Sequence, residues 1–172
     1  MGGQNYHVDR LRKGQPIILH GNGTSFWPTC HRDDVAQAFV GAIGNSKAMG
    51  RGYHAAGEEW MTWEGYHRGL AKAIGASDPD FVRIPTDVLV RMAPKEAFLS
   101  EVNFSYNNLF DNTAAHDDLG FRVTIPWVET ARRVVGWLED NDKLENSADV
   151  PVYDDVIARW RRATDGLGPA SA

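Results

Sequence analysis

Apolar residues fall at helical spacing in some stretches and in short unbroken runs in others, and this contrast predicts most elements. Pro16-Ile17-Ile18-Leu19, bounded by Lys13-Gly14 and His20-Gly21-Asn22-Gly23, predicts a strand that enters a tight loop. Residues 25–31 suit an extended segment, with Pro28 arguing against a central, fully paired strand. Val35, Ala36, Phe39, Val40 and Ile43 then recur at helical spacing behind Asp33-Asp34, which suit a helix cap and the positive helix end. Tyr53-His54-Ala55-Ala56-Gly57 reads as a short buried strand. Thr62 opens a helix whose face carries Trp63, Tyr66, Leu70 and Ile74, and Gly75 ends it.

Phe81-Val82-Arg83-Ile84 is a further strand closed by Pro85, and a helix follows through Val88, Leu89 and Met92 to Pro94. Residues 95–113 are ambiguous, with helical character at 96–99 and turns at 107–108 and 111–112. A short helix over 114–119 stops at Gly120. Pro126 opens a long one, with Trp127, Ala131, Val134 and Leu138 on its stripe. A polar stretch over 140–147 precedes a last amphipathic helix with Val152, Val156, Ile157 and Trp160, and a frayed tail is expected from Gly166. Helices interleaved with few, short strands make this an α/β chain.

Composition narrows the function classes. The 172 residues suffice for a core, and the net charge of −5 gives no reason to expect a nucleic-acid partner. One cysteine, Cys30, excludes an internal disulfide framework, and neither a leader nor a membrane segment is expected. A cytoplasmic location follows as the expectation.

Candidate chemistry is sparse. Gly21-Asn22-Gly23 lacks the third glycine of a dinucleotide loop and the Lys-Ser/Thr of a P-loop, so a turn is the better account. Cys30-His31-Arg32-Asp33 gathers metal-ligand types without a second pair at zinc spacing, so a helix cap and a buried histidine explain it better. Glu64-x-x-His67 occurs once, whereas a di-iron bundle needs two copies. No Gly-x-Ser-x-Gly elbow is present. Trp63, Trp127 and Trp160 lie on apolar stripes and are expected in the core, which leaves Trp27 as the tryptophan kept for a ligand.

The order of these segments resembles a known family. Residues 14–23, then His31-Arg32-Asp33-Asp34-Val35-Ala36-Gln37-Ala38, are similar to the extended short-chain dehydrogenase/reductases, the NAD-dependent epimerase/dehydratase family. Gly52-Tyr53-His54 to Gly57 with Thr62-Trp63-Glu64, then residues 110–121, then the helix over 127–138, follow in the same order. The match spans roughly residues 10–140. It implies the C-terminal part of a Rossmann-type fold, with residues 1–145 as the substrate-binding portion and 146–172 as a C-terminal helix and tail.

The family's Gly-x-x-Gly-x-x-Gly loop is missing, and none of the five tyrosines is followed by Lys at the Tyr-x-x-x-Lys spacing. The resemblance therefore implies NAD or NADP as the family cofactor, not bindable by this chain alone, and no catalytic residue here. Where nucleotide-sugar members carry an Arg-Asp pair, this chain has Trp27 and Pro28, and a common Lys position falls on Ala114. A less charged small-molecule substrate is implied, with Ser25, Trp27 and His31 lining its pocket. The remaining expectations are inactivity alone and either a Rossmann-half partner or self-association, with the 53–56 edge left uncovered. The alternatives are a non-catalytic binding module of the same descent and, more remotely, a metal enzyme around Cys30.

Overall fold

Ile17, Ile18 and Leu19 are all buried, as an apolar run covered on both faces requires. The computed structural model describes residues 5–166 and places them in strand β1 (Ile17–His20), parallel to β4 (Phe81–Ile84) in register Ile17↔Phe81 through His20↔Ile84. Alternation sorts the side chains between two faces. Ile18, Val82 and Ile84 face α4 (Thr86–Met92) and α7 (Pro151–Thr164), meeting Leu89, Val156 and Ile157. Ile17 faces α1 (Tyr6–Arg12), α3 (Trp63–Ile74) and α6 (Trp127–Asp140), where Leu11, Leu70 and Val135 pack. Burying one such aliphatic side chain contributes about 2 kcal/mol. Helix α7 lies beyond the boundary drawn at 145, yet it shares this core.

The flank of β1 is closed by side chains. The Tyr153 hydroxyl accepts from Ile18 N at 2.7 Å, and Arg10 Nε donates to Pro16 O at 3.0 Å. Arg10 is fully buried, lies 4.2 Å over the Tyr153 ring and pairs with Asp154 at 2.7 Å.

A second pair, β2 (Phe26–Pro28) antiparallel to β3 (Trp60–Thr62), is short, as Pro28 required. Helix α3 begins and ends where its signals lie. Thr62 accepts from Gly65 N at 3.1 Å, and Gly75 takes the left-handed conformation at φ 69°. Helix α5 (Thr113–Leu119) ends likewise at Gly120.

Several expectations are corrected. Residues 53–57 form no strand. The Asn112 side chain instead bonds both backbone groups of Ala56, accepting from its N–H at 3.1 Å and donating to its carbonyl at 2.8 Å. Helix α2 (Arg32–Ala42) is capped not by an aspartate but by His31, whose Nδ1 accepts from Asp33 N at 3.1 Å. Its apolar stripe faces outward, with Phe39, Val40 and Ile43 exposed while Asp34 and Ala38 are buried. Asp34 belongs inside because it accepts from Thr124 N, Thr124 Oγ1 and Ile125 N within 3.0 Å, which holds its carboxyl below the usual range against the cost of burial.

On α6 the buried positions are Thr130, Ala131 and Val135, and Val134 opens to solvent. Helix α1 has no counterpart in the sequence reading, and residues 100–104 form one π-helical turn. The frayed tail lies, from residue 167 on, outside the described residues.

Candidate functional site

Ligands of open α/β sheets bind beyond the carboxyl ends of the strands. Here β1 ends in His20 and the turn Gly21-Asn22-Gly23, whose glycines hold φ of 57° and 74°, and β4 ends in Pro85-Thr86. Between them lies a 300 Å³ cleft lined by His20, Asn22, Ser25, Thr86, Ser105 and Asn107, among others.

The π-helical turn completes this cleft. The carbonyl of its last residue, Phe104, accepts from Ser25 Oγ at 2.6 Å and from His20 Nε2 at 2.9 Å. A carbonyl only accepts, so Nε2 carries the proton of the neutral ring and Nδ1 is the basic nitrogen. Burial lowers the His20 pKa, with the Phe104 bond opposing, so the ring is neutral at pH 7. Ser105 Oγ donates its proton to the Ser100 carbonyl and accepts from Thr86 Oγ1 at 3.3 Å. Asn22 holds Thr24, and Asn107 accepts from Phe26 N at 3.0 Å. The lining is a set of hydroxyls, amides and one neutral imidazole, with no charged side chain among them. Such a surface can orient a hydroxylated, uncharged molecule. A neighbouring 530 Å³ cavity shares Thr86 and Ser105 and includes Asp87, Arg91 and Glu101.

The sequence-predicted residues do not converge on one pocket. Ser25 lines the cleft. Trp27 stacks on Trp63 (5.5 Å, 24° between planes) and meets Phe104 edge-on at 4.9 Å, which makes it backing for the cleft wall. His31 lies in a separate cavity against α6. Sequence reasoning passed over His20, Thr86, Ser105 and Asn107. For His20 and Thr86 a signal existed, since His20 directly closes the run 17–19 and Thr86 follows the run 81–84 after Pro85.

The other motifs disperse. Glu64 turns outward to Arg68 and Arg83, which hold its carboxyl below the usual range, whereas His67 is buried 5.0 Å from the His7 ring. Among the described residues no group of three or more His, Cys, Asp or Glu is placed to hold a metal ion, and no helix is long and apolar enough to cross a membrane.

A dinucleotide would need a glycine-lined turn from strand into helix. The turn after β1 continues into β2, and that after β4 enters the seven-residue α4 through Pro85, with Asp87 in its first turn. Neither turn has that form.

No family model matches the chain. It is 27% identical over 162 residues to the chloroplast stem-loop binding protein of 41 kDa b of Arabidopsis thaliana, a match covering 94% of this chain and 38% of that protein. Among solved structures it is similar to UDP-glucose 4-epimerase of Thermotoga maritima with UDP-glucose (TM-score 0.55, 16% identity, 78% of this chain and 38% of that one). It is also similar to UDP-glucuronic acid 4-epimerase of Bacillus cereus in complex with NAD (TM-score 0.54, 16% identity, 74% and 36%). The chain thus spans little more than a third of the proteins it matches. It has a mixed α/β fold shared with part of these epimerases, and the resemblance read from the sequence holds at the level of fold.

Proposed function

We propose that this chain is the C-terminal, substrate-binding portion of an extended short-chain dehydrogenase/reductase, and that the His20 cleft receives a neutral, hydroxylated small molecule. The observation that carries this reading is the Phe104 carbonyl at the carboxyl ends of β1 and β4, bonded by Ser25 and His20 in a cleft without charge. A bound hydroxyl would donate to or accept from Ser25, Thr86 and Ser105. His20 would position it through a fixed tautomer. A diphosphate would find no lining cation there, which favours an uncharged sugar or polyol over a nucleotide sugar.

NAD or NADP belongs, on this reading, to residues outside this chain. That cofactor carries the hydride in the family. A partner chain bearing the Rossmann half, or a longer form of the protein, would supply it, so neither cofactor binding nor turnover is expected from these residues alone.

Calorimetry on the chain tests the assignment with glucose, UDP-glucose and NADH. Saturable binding of the neutral sugar, lost in Ser25→Ala with Thr86→Val, is the expected result. Tighter binding of NADH or UDP-glucose would overturn it.

RNA binding is a second reading, prompted by the name of the relative that matches 94% of the chain. Surface arginines weigh against it, because Arg51, Arg68, Arg83, Arg91 and Arg132 each already pair with a carboxylate. Salt-dependent binding of an RNA hairpin would favour it.

A further inference from the structure

The outer face of α6 meets the start of α2 across a 380 Å³ cavity that shares no lining residue with the His20 cleft. Val134, Trp137 and Leu138 form its apolar wall, and Trp137 and Val134 are half-exposed there rather than packed under protein. Such a volume lies at the small end of ligand sites and suits an aromatic ring with a short chain.

Opposite this wall stands His31, whose side chain is only 6% exposed. Its Nδ1 accepts the Asp33 N–H that caps α2, and a ring nitrogen that accepts carries no proton. With Nδ1 occupied by the Asp33 N–H and 3.5 Å from Asp33 Oδ2, Nε2 carries the ring's proton in the cavity wall and makes no hydrogen bond to another described residue. Arg32 and Arg133 also line the cavity. Arg32 meets Asp33 through Nε at 3.5 Å, and Arg133 meets Glu129 through Nε at 2.8 Å, so each keeps its two terminal nitrogens for another acceptor. No lining residue is acidic. Burial pushes the Cys30 thiol up to about 11, so it adds no negative charge at pH 7.

We propose that this cavity binds a small carboxylic acid with an apolar, aromatic body. The carboxylate would be held by Arg32, Arg133 and the His31 Nε2–H, with the ring against Val134, Trp137 and Leu138. One donor on a buried imidazole, beside the exposed Arg32 and half-exposed Arg133 guanidinium groups, matches a carboxylate in charge and geometry. The half-exposed indole supplies the stacking surface. This assignment stands independently of the His20 cleft.

The probe is 4-phenylbutyrate, titrated into the chain by calorimetry and followed by the Trp137 indole N–H signal in heteronuclear NMR, with 4-phenylbutanol as the uncharged counterpart. The acid should bind saturably and about tenfold more tightly than the alcohol, the gain of one charge-assisted contact set. Arg32→Gln with Arg133→Gln should abolish that preference, and Trp137→Ala should weaken both ligands. Equal affinities for acid and alcohol, absence of saturation, or shifts that spare Trp137 and His31 in the unmodified chain would each overturn the proposal. The NMR result keeps the test decisive if a variant fails to fold.

Discussion

Protonation of one buried histidine should dominate the acid sensitivity of this fold. His67 sits on α3, 1% exposed, with its ring edge-on to His7 at 5.0 Å. Burial, and secondarily a charge on His20, lower its pKa from 6.5 to about 3. The unfolded chain takes up this proton as pH falls through about 6.5, while the native chain does so only near 3. The contribution of His67 to stability is therefore complete above about 6.5 and is lost as pH falls across that window. Each pH unit within it removes about 1.4 kcal/mol, so acidification from pH 6.5 to 4.5 costs about 3 kcal/mol. That is a large share of a typical domain's 5–15 kcal/mol.

Urea unfolding followed by far-UV circular dichroism at several pH values, on the parent chain and on His67→Phe, measures this directly. Phenylalanine keeps the ring and the burial and has no proton to take up. The variant should retain the stability at pH 7.5 within about 1.5 kcal/mol and show a shallower decline below pH 6.5. Identical pH slopes in the two proteins would refute the reasoning.

Glycine positions give a paired prediction. A Cβ at Gly57 would lie 1.8 Å from the Thr29 carbonyl oxygen, so Gly57→Ala should cost about 3 kcal/mol or prevent folding, read from the melting temperature. Gly136 lies inside α6 with nothing near its Cβ direction, so Gly136→Ala should stabilise by about 0.8 kcal/mol and raise Tm by roughly 2–3 °C. Phe39 on α2 and Ile43 at its C-cap, 72% and 80% exposed, should drive concentration-dependent association in sedimentation velocity. Phe39→Ser with Ile43→Ser should return the chain to a monomer, and unchanged association would clear α2 of the role.

The elements legible in the sequence are those whose determinants are local. Thr62, the 3.6-residue stripe and Gly75 delimit α3 without outside help, and the apolar runs of β1 and β4 can be buried only in a covered parallel pair. Residues 53–57 misled because their backbone partner is a side-chain amide 56 residues away at Asn112. Helix α2 misled because burial of its inner face is decided by the Thr124 and Ile125 amides bound to Asp34, which no periodicity registers. Ser25 was found through the family's loop. Thr86 and Ser105 reach the same cleft only through the β1–β4 pairing and the π-helical turn, which are contacts of tertiary origin.

The closed flank of β1 constrains how this fold can be extended. A strand arriving beside β1 would need the Ile18 N–H and the Pro16 carbonyl, which Tyr153 and Arg10 already occupy. Admitting it would strand a buried guanidinium and peel α7 from its seat. Sheet growth is therefore barred on that side of β1. Strand-exchange aggregation is blocked at the same edge, so α7 acts as a guard on the oldest hazard of a two-stranded sheet.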